Sequence, residues 1–184
     1  MTQALLVMDL QNGPVARLGD RAGVRLDTLE GLIAEARVPS VPVIFVRVAF
    51  CPDAPEISPR NQRFSALKDS SPMDETSDLT SIHPRLTPGD CDVLVTKRRV
   101  SAFSGSDPDV VLRSLSVDHR VLTGIPTSEV VLSTTRQVAD VDFRLTVIAD
   151  GCADVDPEVH RVLTEKVIPR QATVRNANDW IANP

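Results

Sequence analysis

The sequence predicts an α/β protein of three layers, in which helices cover both faces of a mostly parallel β-sheet. Six short apolar segments alternate with segments whose apolar residues recur at helical spacing. Apolar runs without polar alternation are typical of strands that are buried on both faces of a parallel sheet. Their alternation with helices along the chain therefore favours a layered α/β domain.

The composition is that of one ordinary globular domain spanning residues 1–184. Hydrophobic residues make up 42% and charged residues 24%, which is enough to build a real core. The net charge of −5 argues against nucleic acid or an anionic membrane as partner. No apolar run approaches the roughly 20 residues of a membrane span. The N-terminus has the pattern of a strand rather than a signal peptide, and the three cysteines form no close pairs, so a cytoplasmic protein is expected.

The first third of the chain predicts a strand–helix–strand unit. Residues 4–8 are apolar and end at Asp9, which indicates a buried first strand. Apolar residues at helical spacing over 26–36 predict a helix that Pro39 and Pro42 close. Residues 43–48 then form a second buried strand, and the crossover between these parallel strands is expected to be right-handed.

Residues 49–90 interrupt this pattern. Six of the fourteen prolines fall here, with many serines and aspartates between them. A long irregular segment inside a compact domain is usually a lid or a contact surface. A flexible interdomain linker is the alternative, but neither flank is long enough to stand as a domain. We expect a lid, with a short helix over 60–68.

The remaining strands and helices follow in regular alternation. Strands are predicted at 93–96, ending at Lys97, and at 119–123, 144–149 and 172–174. Two Asp-Pro pairs are good helix starts. The helix after Asp107-Pro108 is expected to bury Val111 and Leu115. The helix after Asp156-Pro157 is expected to bury one apolar stripe, formed by Val159, Val162, Leu163 and Val167. Trp180, near the C-terminus, is expected to pack against the body of the domain.

Three of these strands end in features that carry chemistry. The carboxyl ends of parallel strands meet at one edge of a sheet, where ligands bind near the switch in strand order. Asp9, Lys97 and the turn over 124–130 are therefore expected to converge there. A buried acid needs a cation or hydrogen bonds, and Lys97 is a suitable counter-ion. A structural ion pair is the alternative to a catalytic one.

Four segments of the sequence resemble the isochorismatase-like hydrolases, a family better known for its cysteine hydrolases. They are VMDLQNG, VTKRRVSAFSGSD, TGIPTSEVVLSTTRQVA and VIADGCADVDPEVH, and they span nearly the whole chain in family order. The resemblance implies a Rossmann-like domain whose sheet has the strand order 3-2-1-4-5-6. It also implies a small-molecule substrate and a homodimer or larger homo-oligomer.

The resemblance assigns roles to individual positions. The family's catalytic acid falls on Asp9 and its lysine on Lys97. Its cis peptide falls on Ile125–Pro126, and the N–H groups after it, from Thr127 onward, are expected to form an anion pocket beneath the helix start. Its nucleophilic cysteine falls on Val130, which has no nucleophilic atom.

Neighbouring hydroxyl and thiol groups do not replace the missing nucleophile. Ser128 stands two positions early, where it is expected to cap the helix. For Cys51, Cys91 and Cys152 a small thiol without catalytic role is expected.

Other residues of the family-like and lid segments complete the expected site. Gln11, Phe64 and Phe103 are expected to contact the substrate. His83, His119 and His160 show no ligand spacing, so neither a metal nor another cofactor is expected. His160 matches a helix position of the family and is interpreted as a packing residue.

Three functions are consistent with these residues. The first is a hydrolase that works without a thiolate, with Asp9 as proton donor and Lys97 holding charge, as in the hydrolysis of a vinyl ether. The second is an inactive family member that binds a small molecule. The third is a thiol hydrolase that uses a displaced cysteine.

Overall fold

The protein contains one six-stranded parallel sheet. The computed structural model describes residues 2–38 and 40–183, without the side chain of Asp69. Its strands are β1 (Gln3–Met8), β2 (Val43–Val48), β3 (Val93–Lys97), β4 (His119–Gly124), β5 (Arg144–Cys152) and β6 (Thr173–Arg175). They are ordered β3-β2-β1-β4-β5-β6, and each neighbouring pair is parallel. The predicted fold class and strand order are confirmed.

Helices pack on both faces of this sheet. They are α1 (Asn12–Ala16), α2 (Ala22–Arg37), α3 (Gln62–Ser70), α4 (Pro108–Ser114), α5 (Leu132–Ala139), α6 (Pro157–Val162) and α7 (Ala177–Ala182). Single π-helical turns, Thr127–Val131 and Leu163–Val167, precede α5 and follow α6. The sequence did not predict α1 and α7, because five or six residues are too few to show helical periodicity. The expected role of Pro39 in closing α2 lies outside the described residues.

The alternating side chains of β1 divide the core into two clusters. Leu5 and Val7 pack with α2 and with Trp180, which is 2% exposed, so its predicted docking is confirmed. Leu6 and Met8 point into the other cluster, which includes residues of α4 and α5. Because both faces are covered, β1 lies at the centre of the molecule. Its last residue lies at the carboxyl edge of the sheet.

Two predicted apolar stripes are only partly correct, because one residue of each is exposed. In α4 the buried residues are Pro108 and Leu112, and Val111 packs partly buried against the core as predicted, whereas Leu115 is 40% exposed because it lies just beyond the last helical turn. Of the stripe predicted from α6 onward, Val162, Leu163 and Val167 are half-buried, whereas Val159 is 36% exposed, and the chain buries Thr164 and Ile168 instead. The π-helical turn at Leu163–Val167 changes the rotation per residue, so ordinary helical spacing does not predict which residues are buried from Leu163 onward.

The segment over 49–90 has a small core of its own. Phe50, Ile57, Phe64 and Leu67 are buried together beside the end of β2, and the rings of Phe50 and Phe64 pack edge-to-face at 5.3 Å. Its helix α3 begins two residues later than predicted. This segment, called the lid below, is therefore an ordered layer over one end of the sheet. No helix of the described part is long and apolar enough to cross a membrane.

Candidate functional site

Asp9 and Lys97 meet at the carboxyl edge of the sheet. Asp9 follows β1, Lys97 ends β3, and β2 lies between these two strands. Neighbouring strands are about 4.8 Å apart, so the lysine side chain must extend across β2 to reach the acid. Lys97 Nζ lies 2.8 Å from Asp9 Oδ2, and both side chains are buried. Both residues line a cavity between the sheet edge and the lid.

The ammonium group of Lys97 is fully occupied. Besides Asp9, it donates hydrogen bonds to the carbonyl oxygens of Arg99 at 3.0 Å and Val100 at 2.7 Å. An ammonium has three donors, and each of them has a partner here. Lys97 therefore pairs with the carboxylate of Asp9 and also anchors the backbone of Arg99 and Val100, which follow β3.

Asp9 has one carboxylate oxygen that no protein group uses. Oδ2 is paired with Lys97, whereas Oδ1 is buried without a hydrogen-bond partner. Burial and, to a smaller extent, the nearby charge of Glu129 raise the pKa of Asp9 to about 6 against the opposing effect of Lys97. Its φ of +55° is a left-handed conformation that aspartate tolerates better than most residues. Asp9 is therefore an acid that changes protonation near neutral pH.

The turn after β4 lies beside this acid. Gly124 is required there, because a Cβ at this position would lie 2.5 Å from the carbonyl oxygen of Met8. The Ile125–Pro126 peptide bond is cis, and both residues line the cavity. The turn thus forms part of the cavity wall.

The expected anion pocket beneath the helix start is not formed by these residues. Pro126 has no N–H group, and Ile125 N donates to the carbonyl of Met8. Thr127 N donates to the carbonyl of Ala153 at 2.8 Å, because the loop after β5 folds against the turn. The first N–H group that sequence reasoning assigned to an anion, that of Thr127, is therefore satisfied within the protein.

The expected cap by Ser128 is also corrected. The helical segment begins at Thr127, so Ser128 lies inside its first turn. Its backbone N–H donates to Asp154 Oδ2 at 2.8 Å, and the carboxylate of the β5 loop supplies the cap. His160, which was expected to be a packing residue, also supports this turn, because its Nδ1 lies 2.8 Å from Thr127 Oγ1.

Val130 belongs to the core, and Glu129 belongs to the cavity. Val130 is fully buried in the cluster that contains Met8 and Leu6, and it is absent from the residues lining the cavity. Glu129, one position earlier, does line the cavity. The charged side chain that the turn presents to the cavity, beside Ile125 and Pro126, is therefore a carboxylate.

Of the three expected substrate contacts, the structure brings two to the cavity. Phe64 of α3 and Gln11 both line it. The amide of Gln11 is used internally, since it donates to the carbonyls of Val48 and Thr80 and accepts from Val48 N. Gln11 thus ties the lid to the sheet. Phe103 packs against the core cluster under α4 and α5 instead.

Arg63 is a cavity residue that sequence reasoning missed. It lies on α3, its Nη2 lies 2.8 Å from Glu129 Oε1, and both residues line the cavity. Its Nε is buried without a hydrogen-bond partner. Arg63 and Glu129 are 66 residues apart, so no local pattern predicts their contact. The sequence signals only that Arg63 lies in the predicted lid helix and that Glu129 lies in the turn after the fourth strand.

None of the cysteines lines this cavity. Cys152 is fully buried, and burial raises the pKa of its thiol to about 12. Cys51 is exposed in a separate surface depression on the lid, and a hydrogen bond with Glu56 raises its pKa. Cys91 is exposed just before β3, at the opposite end of that strand from Lys97.

The histidines have local partners rather than a common centre. His119 Nε2 lies 2.9 Å from Thr146 Oγ1, and His83 Nδ1 accepts from Arg85 N at 3.3 Å. Among the described residues, no group of three or more histidine, cysteine, aspartate or glutamate side chains is placed to hold a metal ion.

Comparison with known proteins places these residues in a family. The family model described as Isochorismatase domain matches residues 3–179. The isochorismatase family protein YecD of Escherichia coli O157:H7, itself uncharacterized, is 33% identical over 187 residues, covering 97% of this chain and 94% of that one. Ureidoacrylate amidohydrolase RutB of Pseudomonas syringae pv. syringae is 32% identical, covering 84% and 72%.

Solved structures give the same result for the fold. An isochorismatase family protein from Burkholderia thailandensis superposes with a TM-score of 0.86 at 28% identity, covering 98% of this chain and 94% of that one. N-carbamoylsarcosine amidase from Thermoplasma acidophilum superposes with a TM-score of 0.77 at 24% identity, covering 97% and 98%. The latter comparison concerns the fold alone.

Proposed function

The chain belongs to the isochorismatase family, and from that membership we propose that it hydrolyses a small molecule by proton transfer from Asp9, without a cysteine nucleophile. The observation that carries this proposal is the buried Asp9–Lys97 pair at 2.8 Å in the cavity wall, with Asp9 Oδ1 unpaired. A carboxyl group whose pKa is about 6 is suited to general acid catalysis near neutral pH.

A vinyl ether is the substrate class that this chemistry serves best. Protonated Asp9 gives its proton to the terminal alkene carbon, and the electron pair of the double bond forms the new C–H bond. Water then adds to the resulting oxocarbenium carbon and loses a proton, which restores the Asp9 acid. The hemiacetal collapses to a carbonyl compound and an alcohol. Lys97 holds the Asp9 carboxylate while it is charged.

Acyl transfer through a thioester is poorly supported by the same residues. It requires a nucleophile and donors for the oxyanion. Val130 supplies no nucleophilic atom, and the N–H groups of Ile125 and Thr127 are bonded to backbone carbonyls. A thiol hydrolase that uses a displaced cysteine is also poorly supported, because Cys51 and Cys152 do not line the cavity.

A small-molecule binding protein without turnover is the second candidate. The observation that favours it is the same internal satisfaction of the helix-start N–H groups, which leaves a shaped cavity with few groups free to stabilise a transition state. A homo-oligomer in the cytoplasm is part of both proposals, and light scattering of the purified protein measures the assembly.

Product release from a panel of vinyl ethers, amides and esters tests the proposal. We expect acetaldehyde from phenyl vinyl ether, and Asp9→Asn should lower its rate about 100- to 10,000-fold, the usual contribution of a positioned acid. Asp53→Asn, a matched change on the exposed lid surface, should leave the rate unchanged.

Two results would contradict this mechanism. Turnover that survives Asp9→Asn would remove Asp9 from the chemistry. No turnover on the whole panel, together with ligand binding at Asp9, would favour the binding protein.

A further inference from the structure

Two unpaired polar atoms belong to residues that line the same cavity. Among the described residues, six buried side-chain nitrogen or oxygen atoms lack a hydrogen-bond partner. Asp9 Oδ1 and Arg63 Nε are two of them, and both residues line the cavity beneath the lid. Buried polar atoms without partners are costly. One atom is a carboxyl oxygen and the other a cationic donor, so the cavity has two chemically different unpaired polar atoms, beside the charged side chains of Arg17, Lys97 and Glu129 that also line it.

The surface between these two atoms is mainly apolar. Phe64 and Leu67 of the lid helix, Val100 after β3 and Ile125 of the turn contribute to it. An apolar wall with a few convergent polar groups is typical of sites for small organic molecules. The matching ligand has an apolar body, one reactive end at Asp9 and one acceptor group at Arg63.

The present partner of Arg63 uses only part of the guanidinium. Both oxygens of Glu129 approach the same nitrogen, Nη2, at 2.8 and 3.0 Å, whereas Nε is unused. A carboxylate binds arginine best in a fork, with two parallel N–H···O bonds. A carboxylate that engaged Nε together with Nη2 would therefore have better geometry than Glu129 has.

We propose that Arg63 is a specificity-determining residue, which binds a carboxylate of the substrate through Nε and Nη2 in competition with Glu129. The inference rests on the proposed function only in taking Asp9 as the reactive end of the site. It adds the substrate class, which is a small carboxylate with an apolar body. Arg63 lies on α3 next to Phe64, which is packed in the lid core. The lid thus selects the ligand, while the sheet edge supplies the acid.

Titration with benzoate and its neutral analogue benzamide, followed by ligand-observed NMR, tests this role without requiring turnover. We expect benzoate to bind more tightly than benzamide. Arg63→Gln should weaken benzoate about 10- to 100-fold, as expected for a lost charge-assisted pair, and should leave benzamide nearly unchanged. Arg63→Lys keeps the charge without the fork and should give an intermediate value.

Two matched variants control for charge alone. Arg60→Gln is the control for Arg63→Gln: it removes the same charge from the lid at a position outside the cavity lining, and it should leave benzoate binding unchanged.

Glu129→Gln tests the competition directly. It removes the competing carboxylate and should tighten benzoate binding about 2- to 5-fold, the range for a partly exposed ion pair. Glu158→Gln, in an exposed pair with Arg161, should have no effect.

Three outcomes would overturn the inference. They are benzoate binding no more tightly than benzamide to the unmodified protein, Arg63→Gln keeping the preference for benzoate, and Arg60→Gln losing it equally. Failure of the proposed hydrolysis is a separate result, because the titration measures binding alone. A protein that discriminates benzoate through Arg63 but turns over no vinyl ether would retain the inference and lose the proposed activity.

Discussion

Asp9 combines three features that an ordinary structural carboxylate does not need. It is 6% exposed, its backbone has a φ of +55°, and one oxygen lacks a partner. Residues in sparsely populated conformations cluster at functional sites, where the surrounding structure holds them in place. The fixed charge of Lys97 opposes the effect of burial on the pKa of Asp9 but does not cancel it.

The raised pKa of Asp9 predicts the direction of the pH dependence. If Asp9 donates the proton, the protonated form is active, and its fraction falls as the pH rises through about 6. We expect the rate of vinyl ether hydrolysis to be level below this value and to fall about tenfold per pH unit well above it. Initial rates between pH 4.5 and 8.5 measure this profile. A rate that rises with pH over the same range would indicate that Asp9 acts as a base.

The sequence could identify Asp9, Lys97 and part of the cavity wall, but not the pair of Arg63 and Glu129. Asp9 and Lys97 each follow a buried apolar strand, and parallel topology brings strand ends together. Arg63 and Glu129 meet only because the lid folds over the sheet, and that packing leaves no periodic trace. Gln11 was assigned to the substrate because nothing local shows that its amide bonds Val48 and Thr80.

At the scale of elements, the turn after β4 is shaped by the loop after β5. The carbonyl of Ala153 and the carboxylate of Asp154 bind the N–H groups of Thr127 and Ser128. Sequence reasoning placed the turn and its helix correctly but left these N–H groups free for an anion. The difference arises because helix-start donors bind whichever acceptor packs closest, and that acceptor is 26 residues away.

Removal of the Asp154 carboxylate should therefore affect both stability and activity. Asp154→Ala is expected to lower the free energy of unfolding by about 1–2 kcal/mol, as for a lost helix cap, and to slow hydrolysis because the turn borders the cavity. Asp156→Ala removes the cap of α6, where Asp156 Oδ1 accepts from Glu158 N at 2.8 Å, and is the matched control. Urea denaturation and initial rates of both variants measure the two effects. Equal loss of activity in the two variants would show a general effect of destabilisation.

The short and irregular helices set the limit of prediction at this scale. The 16 residues of α2 show their period clearly, whereas α1 and α7 are too short to do so. The π-helical turns at Thr127–Val131 and Leu163–Val167 depart from the period on which such reasoning depends. Burial around them is decided by tertiary packing, as the buried Thr164 and exposed Val159 show.

At the scale of the whole molecule, the strand order places the cavity. The chain runs outward from β1 to β2 and β3, then returns to β4, β5 and β6 on the other side. Asp9 and the turn after β4 lie at this switch, where doubly wound sheets bind their ligands. Alternating strands and helices indicated this architecture from sequence. The position of the lid over the switch was not predictable in detail, because it depends on contacts such as Arg98 with Glu56 at 3.0 Å and with the carbonyl of Ala49.

Hydrolysis by a cysteine-free protein is the most direct measurement of thiol-independent proton transfer in this fold. Alkylating reagents do not suffice, since Cys152 is fully buried. The triple variant Cys51→Ser, Cys91→Ser, Cys152→Ala should be compared with Asp9→Asn at pH 6 after circular dichroism shows both to be folded. We predict that the triple variant keeps the rate of the unmodified protein within about twofold, while Asp9→Asn loses about 100-fold or more. A folded triple variant without activity, or an active Asp9→Asn, would contradict the mechanism.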